Sequence, residues 1–420
     1  MKMNTRIQLS IMMFLQFVIW GAWYGQLSKY LIAINFDGGQ IGNIYATFSI
    51  AMIFSPFLVG MIADRFFSAQ KVLGVLNLLG ALILFVLTRT TDYDAFWWLM
   101  LLYCLTFAPC IALTSSISMR QMTSPEKEFP IIRVMGTLAW IAVTNLIGYL
   151  GWGDKVNIFY VSLVISAVLG LYAFTLPNTP PTIKGPVSFA NIVGKDAFVL
   201  FKDRSFAIFF IASVLICIPL SFYYTWGNPS ITDTYKNAFP NTDPTKFFVE
   251  NKMSLGQASE VFFMLLIPFA YRKFGIKWIL VIALLAWIVR FLFFGYANAS
   301  TTEWMLYGGI LLHGICFDFF FVSGMIYTDL KAGPRIKSQA QGLISLATYG
   351  VGMLIGSVVG GYVQKMYTTG TGPTAVTNWT NVWLVPAGIA VVVLLLFLVA
   401  FRDNTRKMPA KEALPTTAPV

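Results

Sequence analysis

Apolar stretches long enough to cross a lipid bilayer recur along almost the whole chain and restrict what it can fold into. A helix rises about 1.5 Å per residue, so about 20 apolar residues span the roughly 30 Å hydrocarbon core of a membrane. With 57% hydrophobic and 11% charged residues, the chain is too apolar for a soluble protein. We therefore predict an all-α integral membrane protein with twelve transmembrane helices. The predicted spans cover residues 7–33, 40–63, 72–89, 95–119, 131–151, 156–176, 205–227, 254–272, 277–297, 303–328, 338–364 and 379–401.

Basic residues dominate the charge of the chain, with 29 lysines and arginines against 18 aspartates and glutamates. Such a balance can indicate nucleic-acid binding, but most of these residues lie in short segments between the apolar stretches. The positive-inside rule accounts for their distribution if both termini are cytoplasmic. The first apolar stretch is too long for a cleavable signal peptide and lacks a clear cleavage site, so we interpret it as the first span. We expect a multi-pass protein without a nucleic-acid partner.

A polar segment rich in Pro, Lys and Asp, residues 177–204, separates six predicted spans from six others. We interpret it as a cytoplasmic linker. The predicted organisation is an N-terminal six-helix half over residues 1–176 and a C-terminal half over residues 205–401. The polar, Pro-containing residues 402–420 are predicted to form a disordered cytoplasmic tail.

Short basic loops, Gly60–Lys71 and Ala270–Lys277, follow the second span of each half and form a weak internal repeat. Two related halves are what alternating access requires, because one half can rock against the other around a central site. The first loop resembles the loop signature of the major facilitator superfamily. That resemblance implies that Asp64 and Arg65 help to hold the halves together in one state.

The longest predicted outer loop is Asn228–Met253. It contains the sequences Pro-Ser, Asn-Ala-Phe-Pro and Asp-Pro, which favour turns and irregular structure. We predict that it is an irregular, solvated connector; the alternative is a lid over a solute site.

Residues typical of catalytic or metal sites are few. The chain has one histidine, no HExxH or GxSxG motif, and no cluster of carboxylates or of His and Cys. Its four cysteines lie in apolar stretches without CxxC spacing, and we predict that they are packing residues rather than disulfides or a zinc site. These observations argue against an enzyme, and the lack of a soluble signalling domain argues against a sensor.

Polar residues inside the fifth predicted span are candidates for a solute site, because ionisable groups at membrane depth are costly and normally face the bundle interior. Arg133, Thr137 and Trp140 stand at positions i, i+4 and i+7 and share one helical face. Arginine suits fork-like hydrogen bonding to carbonyls or carboxylates. The alternative is an arginine that extends toward the lipid headgroups.

Further candidates lie in the seventh, eighth and ninth spans. Gln257 and Glu260, at i and i+3, offer amide groups and a protonatable carboxylate to a polar solute; a salt-bridged structural Glu260 is the alternative. We expect Arg290 to form a structural or gating ion pair with one of the acids, because an unpaired buried charge is costly. Tyr224 belongs to an aromatic cluster with polar tips, although an interfacial aromatic belt explains its neighbours equally well.

The tenth span contains the only histidine and a mid-span aspartate. His313 and Phe317 share a helical face, and Asp318 is rotated from Phe317 by about 100°. We predict that this face contacts the solute while Asp318 meets Arg290 or a proton. Asp318 or Glu260 is the predicted proton carrier, since each is an acid in a low-dielectric site. The alternative for His313 is hydrogen-bonded packing.

An aromatic stripe in the first span consists of Phe14, Phe17, Trp20 and Trp23 at helical spacing. Such a stripe is typical of packing. Trp20 and Trp23 remain candidates for stacking on a flat ring.

Several segments form an ordered set along the chain. They are Phe14-Leu-Gln-Phe with Trp20-Gly, Phe129-Pro-x-x-Arg133-x-x-Gly-Thr137, Gln257-x-x-Glu260, Ala286-Trp-Ile-x-Arg290-Phe, Phe317-Asp318-Phe-Phe and Ser338-x-Ala340-Gln-Gly342. This set resembles the bacterial nucleoside permeases of the nucleoside:proton symporter family, and the similarity runs through nearly all twelve spans. By that resemblance, Arg133, Thr137, Gln257, Glu260, Phe317 and Asp318 would surround the solute.

The resemblance implies a major facilitator fold that imports a nucleoside together with a proton across the bacterial inner membrane, with no cofactor besides the proton. The chain departs from the family at Ser221 and Tyr224, where relatives have Gln and Asn, at His313, where they have Tyr, and at Phe321, where they have Asn. These departures leave a sugar, an amino-sugar derivative or a small peptide fragment as alternative solutes. The expected partners are the solute, protons and the lipid bilayer, and the expected state is a monomer.

Overall fold

The computed structural model describes residues 3–181, 195–370 and 375–403, without the side chains of residues 55–65, 125–127, 195 and 334–335. Most of the described chain is α-helical. The helices are α1 (Met3–Trp23), α2 (Leu27–Ala33), α3 (Gly38–Arg65), α4 (Ala69–Leu87), α5 (Tyr93–Arg120), α6 (Pro125–Tyr149), α7 (Asn157–Ala173), α8 (Arg204–Ala238), α9 (Val249–Tyr296), α10 (Glu303–Phe317), α11 (Ser323–Ser345), α12 (Met353–Met366) and α13 (Trp379–Ala400). The shorter elements are 3₁₀ helices at Lys195–Lys202 and Pro244–Phe247, π-helical segments at Asp318–Val322 and Leu346–Gly352, and the antiparallel strands β1 (Thr368–Thr369) and β2 (Val376–Thr377).

Within the described residues, nine helical stretches are long and apolar enough to cross a membrane. Helix α7 is also apolar but has only 17 residues. These stretches confirm the prediction of an all-α integral membrane protein.

Two glycines with positive φ interrupt otherwise continuous helices. Gly275, with φ 75°, divides α9 between the eighth and ninth predicted spans. Gly333, with φ 64°, divides α11 between the tenth and eleventh. L side chains rarely adopt this region of backbone conformation, whereas glycine has no Cβ and enters it readily. Each break therefore falls between two predicted spans.

The outer loop predicted over Asn228–Met253 is wrong in its extent. Helix α8 continues to Ala238 with Pro229 inside it, and α9 begins at Val249. The side chains just after Asn228 are buried, so this polar sequence extends a helix that packs against its neighbours. The non-α connection is limited to residues 239–248 and includes the 3₁₀ helix Pro244–Phe247.

Three predicted spans are less regular than single α-helices. The first is two helices, because α1 ends at Trp23 and α2 starts at Leu27 after a turn. The tenth and eleventh contain the π-helical segments Asp318–Val322 and Leu346–Gly352. Single π turns inside α-helices occur frequently at functional sites.

The helices pack in two groups. In the first helix group, α1–α7, α1 contacts α6 and α7, and α3 contacts α5. In the second helix group, α8–α13, α9 contacts α10 and α13, and α8 contacts α12 and α13. The groups meet where α3 packs on α12 and α6 on α9. A Cβ added at Gly42 of α3 would lie 2.8 Å from the Cα atom of Gly361 in α12, so these two backbones touch almost directly.

Bulky aromatic side chains fill the interior, and Trp23, Trp226, Trp287 and Trp383 are fully buried. All four cysteines are free and buried, which confirms the prediction that they are packing residues.

Some sequence predictions lie outside the described residues. These are residues 182–194 of the predicted linker, residues 404–420 of the predicted tail, and the side chains of Asp64 and Arg65.

Candidate functional site

A cavity of about 110 Å³ lies between the two helix groups. Its wall combines side chains of α1, α3 and α6 with side chains of α8, α9, α10, α12 and the second π-helical segment. The lining residues are Phe17, Trp20, Tyr24, Phe48, Arg133, Gly136, Thr137, Trp140, Tyr224, Gln257, Glu260, Phe317, Tyr349 and Met353. A mainly aromatic wall with a few polar groups is typical of small-molecule sites.

Helix α6 places Arg133, Thr137 and Trp140 together on the cavity wall. The Arg133 Cζ atom lies 4.4 Å from the centroid of the Phe17 ring. The Arg133 side chain is exposed and forms no hydrogen bond or ion pair with another described residue. Its donors are therefore available to a molecule in the cavity.

Aromatic rings from both helix groups form much of the wall. The Trp20 ring centroid lies 5.5 Å from Trp140 and 5.5 Å from Phe48, in edge-on and tilted arrangements. Tyr24 contacts Tyr224 at 5.4 Å and so joins α8 to the turn between α1 and α2. Such arrangements leave ring faces and edges for a planar ligand.

Four further bulky residues line the cavity that sequence reasoning did not select, namely Tyr24, Phe48, Tyr349 and Met353. Tyr24 directly follows the aromatic stripe that ends at Trp23 in the sequence. That position is the signal that could have indicated it. Trp23 itself is buried in aromatic packing against Tyr24, Phe48, Tyr103 and Phe107, away from the cavity wall.

Gln257 and Glu260 project from α9 into the cavity wall. Glu260 Oε1 lies 2.8 Å from Nε2 of His313. In the described part of the chain, no lysine or arginine forms an ion pair with Glu260. The neighbouring Ser259 Oγ accepts a hydrogen bond from the Gly314 amide at 3.0 Å, which fixes α9 against α10.

His313 is fully buried behind Glu260 and is not part of the cavity wall. Its Nδ1 atom lies 2.8 Å from Nη1 of Arg290, and its ring packs against Tyr223 and Phe317. His313 therefore reaches the cavity only through the side chains that it contacts, such as Glu260 and Phe317.

The structural or gating ion pair predicted between Arg290 and an acid is not formed among the described residues. Arg290 is fully buried, with Cζ 3.7 Å from the centroid of the Tyr223 ring, and it contacts His313. Among the described residues, no carboxylate lies within ion-pair distance of its guanidinium, and its Nε and Nη2 atoms have no hydrogen-bond partner. An aromatic face and an imidazole take the place of the acid that sequence reasoning assigned to it.

Asp318 is fully buried at the first position of a π-helical segment. Neither carboxylate oxygen has a hydrogen-bond partner among the described residues. The side chain is outside the cavity wall, although Phe317 and Glu260 next to it line the cavity. A buried carboxyl group without partners costs far more free energy when charged than when neutral.

Polar contacts join the two helix groups at the end of the bundle that holds Lys29, which we call the Lys29 end. Lys29 Nζ donates a 2.8 Å hydrogen bond to Glu250 Oε1, and Asn228 Nδ2 donates one of 3.2 Å to the same oxygen. Asn251 Nδ2 donates to Asn145 Oδ1 at 2.8 Å, and Asn145 Nδ2 donates to Ser254 Oγ at 2.9 Å. Four helices are thus connected around Glu250.

An exposed ion pair lies at the same end, where Lys365 Nζ is 2.9 Å from Asp37 Oδ2. Partial burial raises the pKa of Asp37, but the hydrogen bonds from the Gln40 amide and from Lys365 outweigh it, so the pKa lies below its usual range. Asp37 is therefore charged at neutral pH. It links the start of α3 to the end of α12.

Two further spaces lie between the cavity and the Lys29 end. One of about 30 Å³ shares Trp140, Tyr224 and Gln257 with the cavity and is also lined by Glu250. The other, of about 170 Å³, is lined by Lys29, Glu250 and further charged residues. The Lys29–Glu250 pair therefore lies between the central cavity and this end of the bundle.

A mainly helical, multi-pass fold with a polar and aromatic cavity between two helix groups is typical of membrane transporters. The chain belongs to the family described as nucleoside H+ symporters, whose family model matches residues 3–406. It is a transporter and not an enzyme.

Named relatives and a solved structure agree with this assignment. The putative nucleoside transporter YegT of Escherichia coli is 41% identical over 97% of this chain and 96% of its own length. The nucleoside permease NupG of Escherichia coli is 33% identical over 97% of this chain and 98% of its own length. The crystal structure of nucleoside transporter NupG matches with a TM-score of 0.86 at 33% identity, covering 96% of this chain and all of that chain. These matches confirm the resemblance noted in the sequence and the major facilitator fold that it implies.

Proposed function

We propose that the protein imports nucleosides together with protons across the bacterial inner membrane by alternating access. The observation that carries the proposal is the central cavity, where aromatic rings surround a small set of polar groups. A nucleoside has a flat base that can stack on aromatic side chains and hydroxyl groups that need hydrogen-bond partners. Membership of the nucleoside H+ symporter family supports both the solute class and the coupling ion.

The proposed solute contacts follow from the chemistry of the wall. Arg133 supplies a fork of donors for a carbonyl or hydroxyl oxygen, and Thr137 lies one helical turn further along. Gln257 and Glu260 supply donors and acceptors from the opposite helix group. Trp140, Tyr224 and Phe317 provide aromatic surface for the base, and His313 contributes through Glu260.

The proposed coupling acids are Asp318 and Glu260. Asp318 lacks any hydrogen-bond partner among the described residues, so a proton would stabilise it in this buried site. Glu260 lines the cavity and is accessible to both solute and proton. A symporter needs acids whose protonation depends on the state of the solute site, and these two adjoin it.

The proposed topology has twelve spans in two six-helix halves. The nine apolar stretches support this number once the stretch containing Gly275 is divided there and α3 and α7 are included. The halves would be residues 1–176 and 205–401, with the linker 177–204, the tail 402–420 and both termini in the cytoplasm. The distribution of basic residues supports this orientation.

Alternating access would require the Lys29 end to open. In the proposed orientation this end faces outward, and the contacts around Glu250 close it. Opening would separate Lys29 from Glu250 and α3 from α12, and it would connect the two further spaces to the cavity. Asp64 and Arg65 would act at the opposite end, as the loop signature implies.

Uptake into proteoliposomes with an imposed pH gradient tests the proposal. We expect radiolabelled uridine to accumulate when the outside is acidic and to equilibrate without the gradient. Excess unlabelled adenosine or cytidine should compete, whereas a sugar, an amino sugar or a small peptide fragment should not. Accumulation of one of those solutes without uridine uptake would instead establish an alternative substrate, and uptake insensitive to the gradient would exclude proton coupling.

A further inference from the structure

The only histidine of the chain lies between a fully buried arginine and the acid of the cavity wall. His313 Nδ1 is 2.8 Å from Arg290 Nη1, and His313 Nε2 is 2.8 Å from Glu260 Oε1. The three side chains form a row from the interior of the second helix group to the cavity.

These contacts determine where the ring proton lies. A guanidinium group donates hydrogen bonds and cannot accept them, so Nδ1 of His313 must be the acceptor from Arg290. The proton of the neutral ring is then on Nε2, the atom that faces the Glu260 carboxylate. Arg290 thereby selects the tautomer whose Nε2 proton is on the Glu260 side, where Nε2 and Oε1 are close enough for a hydrogen bond but not aligned for one in this arrangement.

Packing holds the ring in this orientation. His313 is completely buried, and its ring centroid lies 5.2 Å from Tyr223 and 5.6 Å from Phe317. Gly256 of α9 faces it without a side chain, and a Cβ at that position would lie 3.4 Å from the His313 side chain. Arg290 is fixed in turn by the Tyr223 face. The imidazole ring beside Glu260 therefore has little freedom to move.

We propose that His313 is a positioning residue that occupies one oxygen of Glu260 and directs the other into the cavity as the acceptor for an N–H or O–H donor of the solute. The inference rests on the proposed function and explains how the site would select solutes by their hydrogen-bond donors. The solutes that depend on this contact are those with a donor within reach of Glu260, such as a base with an N–H edge or a ribose hydroxyl. A solute without such a donor would gain nothing from His313.

The tautomer can be measured without any transport assay, because a protein with one histidine gives one pair of imidazole nitrogen signals. The full chain would be labelled with ¹⁵N-histidine, purified through a tag that contains no histidine, and measured at neutral pH in lipid. We expect a protonated Nε2 and an unprotonated Nδ1. Glu260→Gln should shift the Nε2 signal, whereas Asp243→Asn, in the loop before α9, should leave it unchanged. A proton on Nδ1, or no response to Glu260→Gln, would overturn the positioning role.

Two variants separate the contacts of the ring. In His313→Gln the side-chain amide reaches the position of Nε2 and can still donate to Glu260. In His313→Asn the shorter side chain reaches only the position of Nδ1 and meets Arg290 alone. We expect His313→Asn to raise the KM for uridine about tenfold and His313→Gln to raise it much less. In a Glu260→Gln background the two variants should have equal KM values, because the acceptor is gone.

The outcomes distinguish this inference from the proposed function. If the wild type transports uridine and both variants raise KM equally, with equal losses of thermal stability, His313 is only a packing residue and nucleoside import stands. If the wild type takes up no uridine, nucleoside import fails, and the imidazole signals still decide whether His313 donates to Glu260.

Discussion

Lys29 Nζ and Glu250 Oε1 lie 2.8 Å apart and connect α2 of the first helix group to α9 of the second. Both side chains are largely buried, and Asn228 donates a further hydrogen bond to the same carboxylate. Removing one partner of a buried ion pair leaves a charge without compensation, at a cost of about 3–5 kcal/mol. The pair therefore contributes to the stability of the arrangement that is closed at the Lys29 end.

Charge reversal of this pair tests its role in closure. Lys29→Glu and Glu250→Lys should each lower uridine uptake severalfold and make a cysteine introduced at Thr144, beside the small space next to Glu250, accessible to an impermeant thiol reagent. The double variant should restore part of the uridine uptake and part of the protection of that cysteine, because the charges again attract. The four native cysteines are buried, so background labelling is expected to be low. A double variant no better than the worse single variant would show that the pair does not close the bundle.

Replacement of Arg133 should weaken solute binding. Loss of hydrogen bonds from a charged donor costs about 1.5–3 kcal/mol, so Arg133→Ala should raise the dissociation constant for uridine about tenfold to a hundredfold. Arg133→Lys keeps the charge but loses the fork and should be intermediate. Equilibrium binding to the purified protein measures the effect.

Arg89→Ala is a matched control for Arg133→Ala. The Arg89 guanidinium also lies over a phenylalanine ring, 3.6 Å from the Phe85 centroid, but outside the cavity wall. It should bind uridine as the wild type does. Unchanged affinity in Arg133→Ala would mean that this arginine does not contact the solute.

Neutral replacements of the two acids should separate transport from proton coupling. Asp318→Asn and Glu260→Gln cannot exchange a proton, so at least one should lose accumulation driven by a pH gradient and keep exchange of labelled for unlabelled uridine. Asp329→Asn is the control, because Asp329 pairs with Lys337 and Gln341 away from the cavity. Full gradient-driven accumulation in both variants would exclude both acids as the proton carrier.

Much of the fold could be predicted from the sequence, because the length of an apolar stretch and its flanking charges decide whether it crosses a membrane. Helical spacing likewise brings Arg133, Thr137 and Trp140 to one face, whatever surrounds the helix. The sequence wrongly predicts an irregular outer loop from Asn228 onward, because proline usually ends or kinks a helix. Here the helix accommodates it, and buried polar residues follow it.

The remaining part of the candidate site depends on packing that the sequence does not encode locally. Phe48 and Met353 lie in helices with apolar residues on several faces, so no periodic pattern indicates which residue faces the cavity. Tyr349 is aligned by a π-helical segment that has no clear sequence signature. For Arg290, the need for a partner was predictable, but the choice of Tyr223 and His313 over an acid arises from how α8, α9 and α10 meet.

Close backbone packing at the Lys29 end provides a last prediction. A Cβ at Gly42 would lie 2.8 Å from Gly361 Cα, and one at Gly361 would lie 2.9 Å from Gly42 Cα, both far inside ordinary contact distance. Gly42→Ala and Gly361→Ala should therefore force α3 and α12 apart, with a cost of about 1–3 kcal/mol. We expect slower uridine uptake and faster labelling of a cysteine at Thr144. Gly388→Ala in α13, where an added Cβ meets nothing within 4 Å, is the matched control and should behave as wild type. If Gly42→Ala also behaves as wild type, closure of this end does not depend on the direct approach of the two backbones.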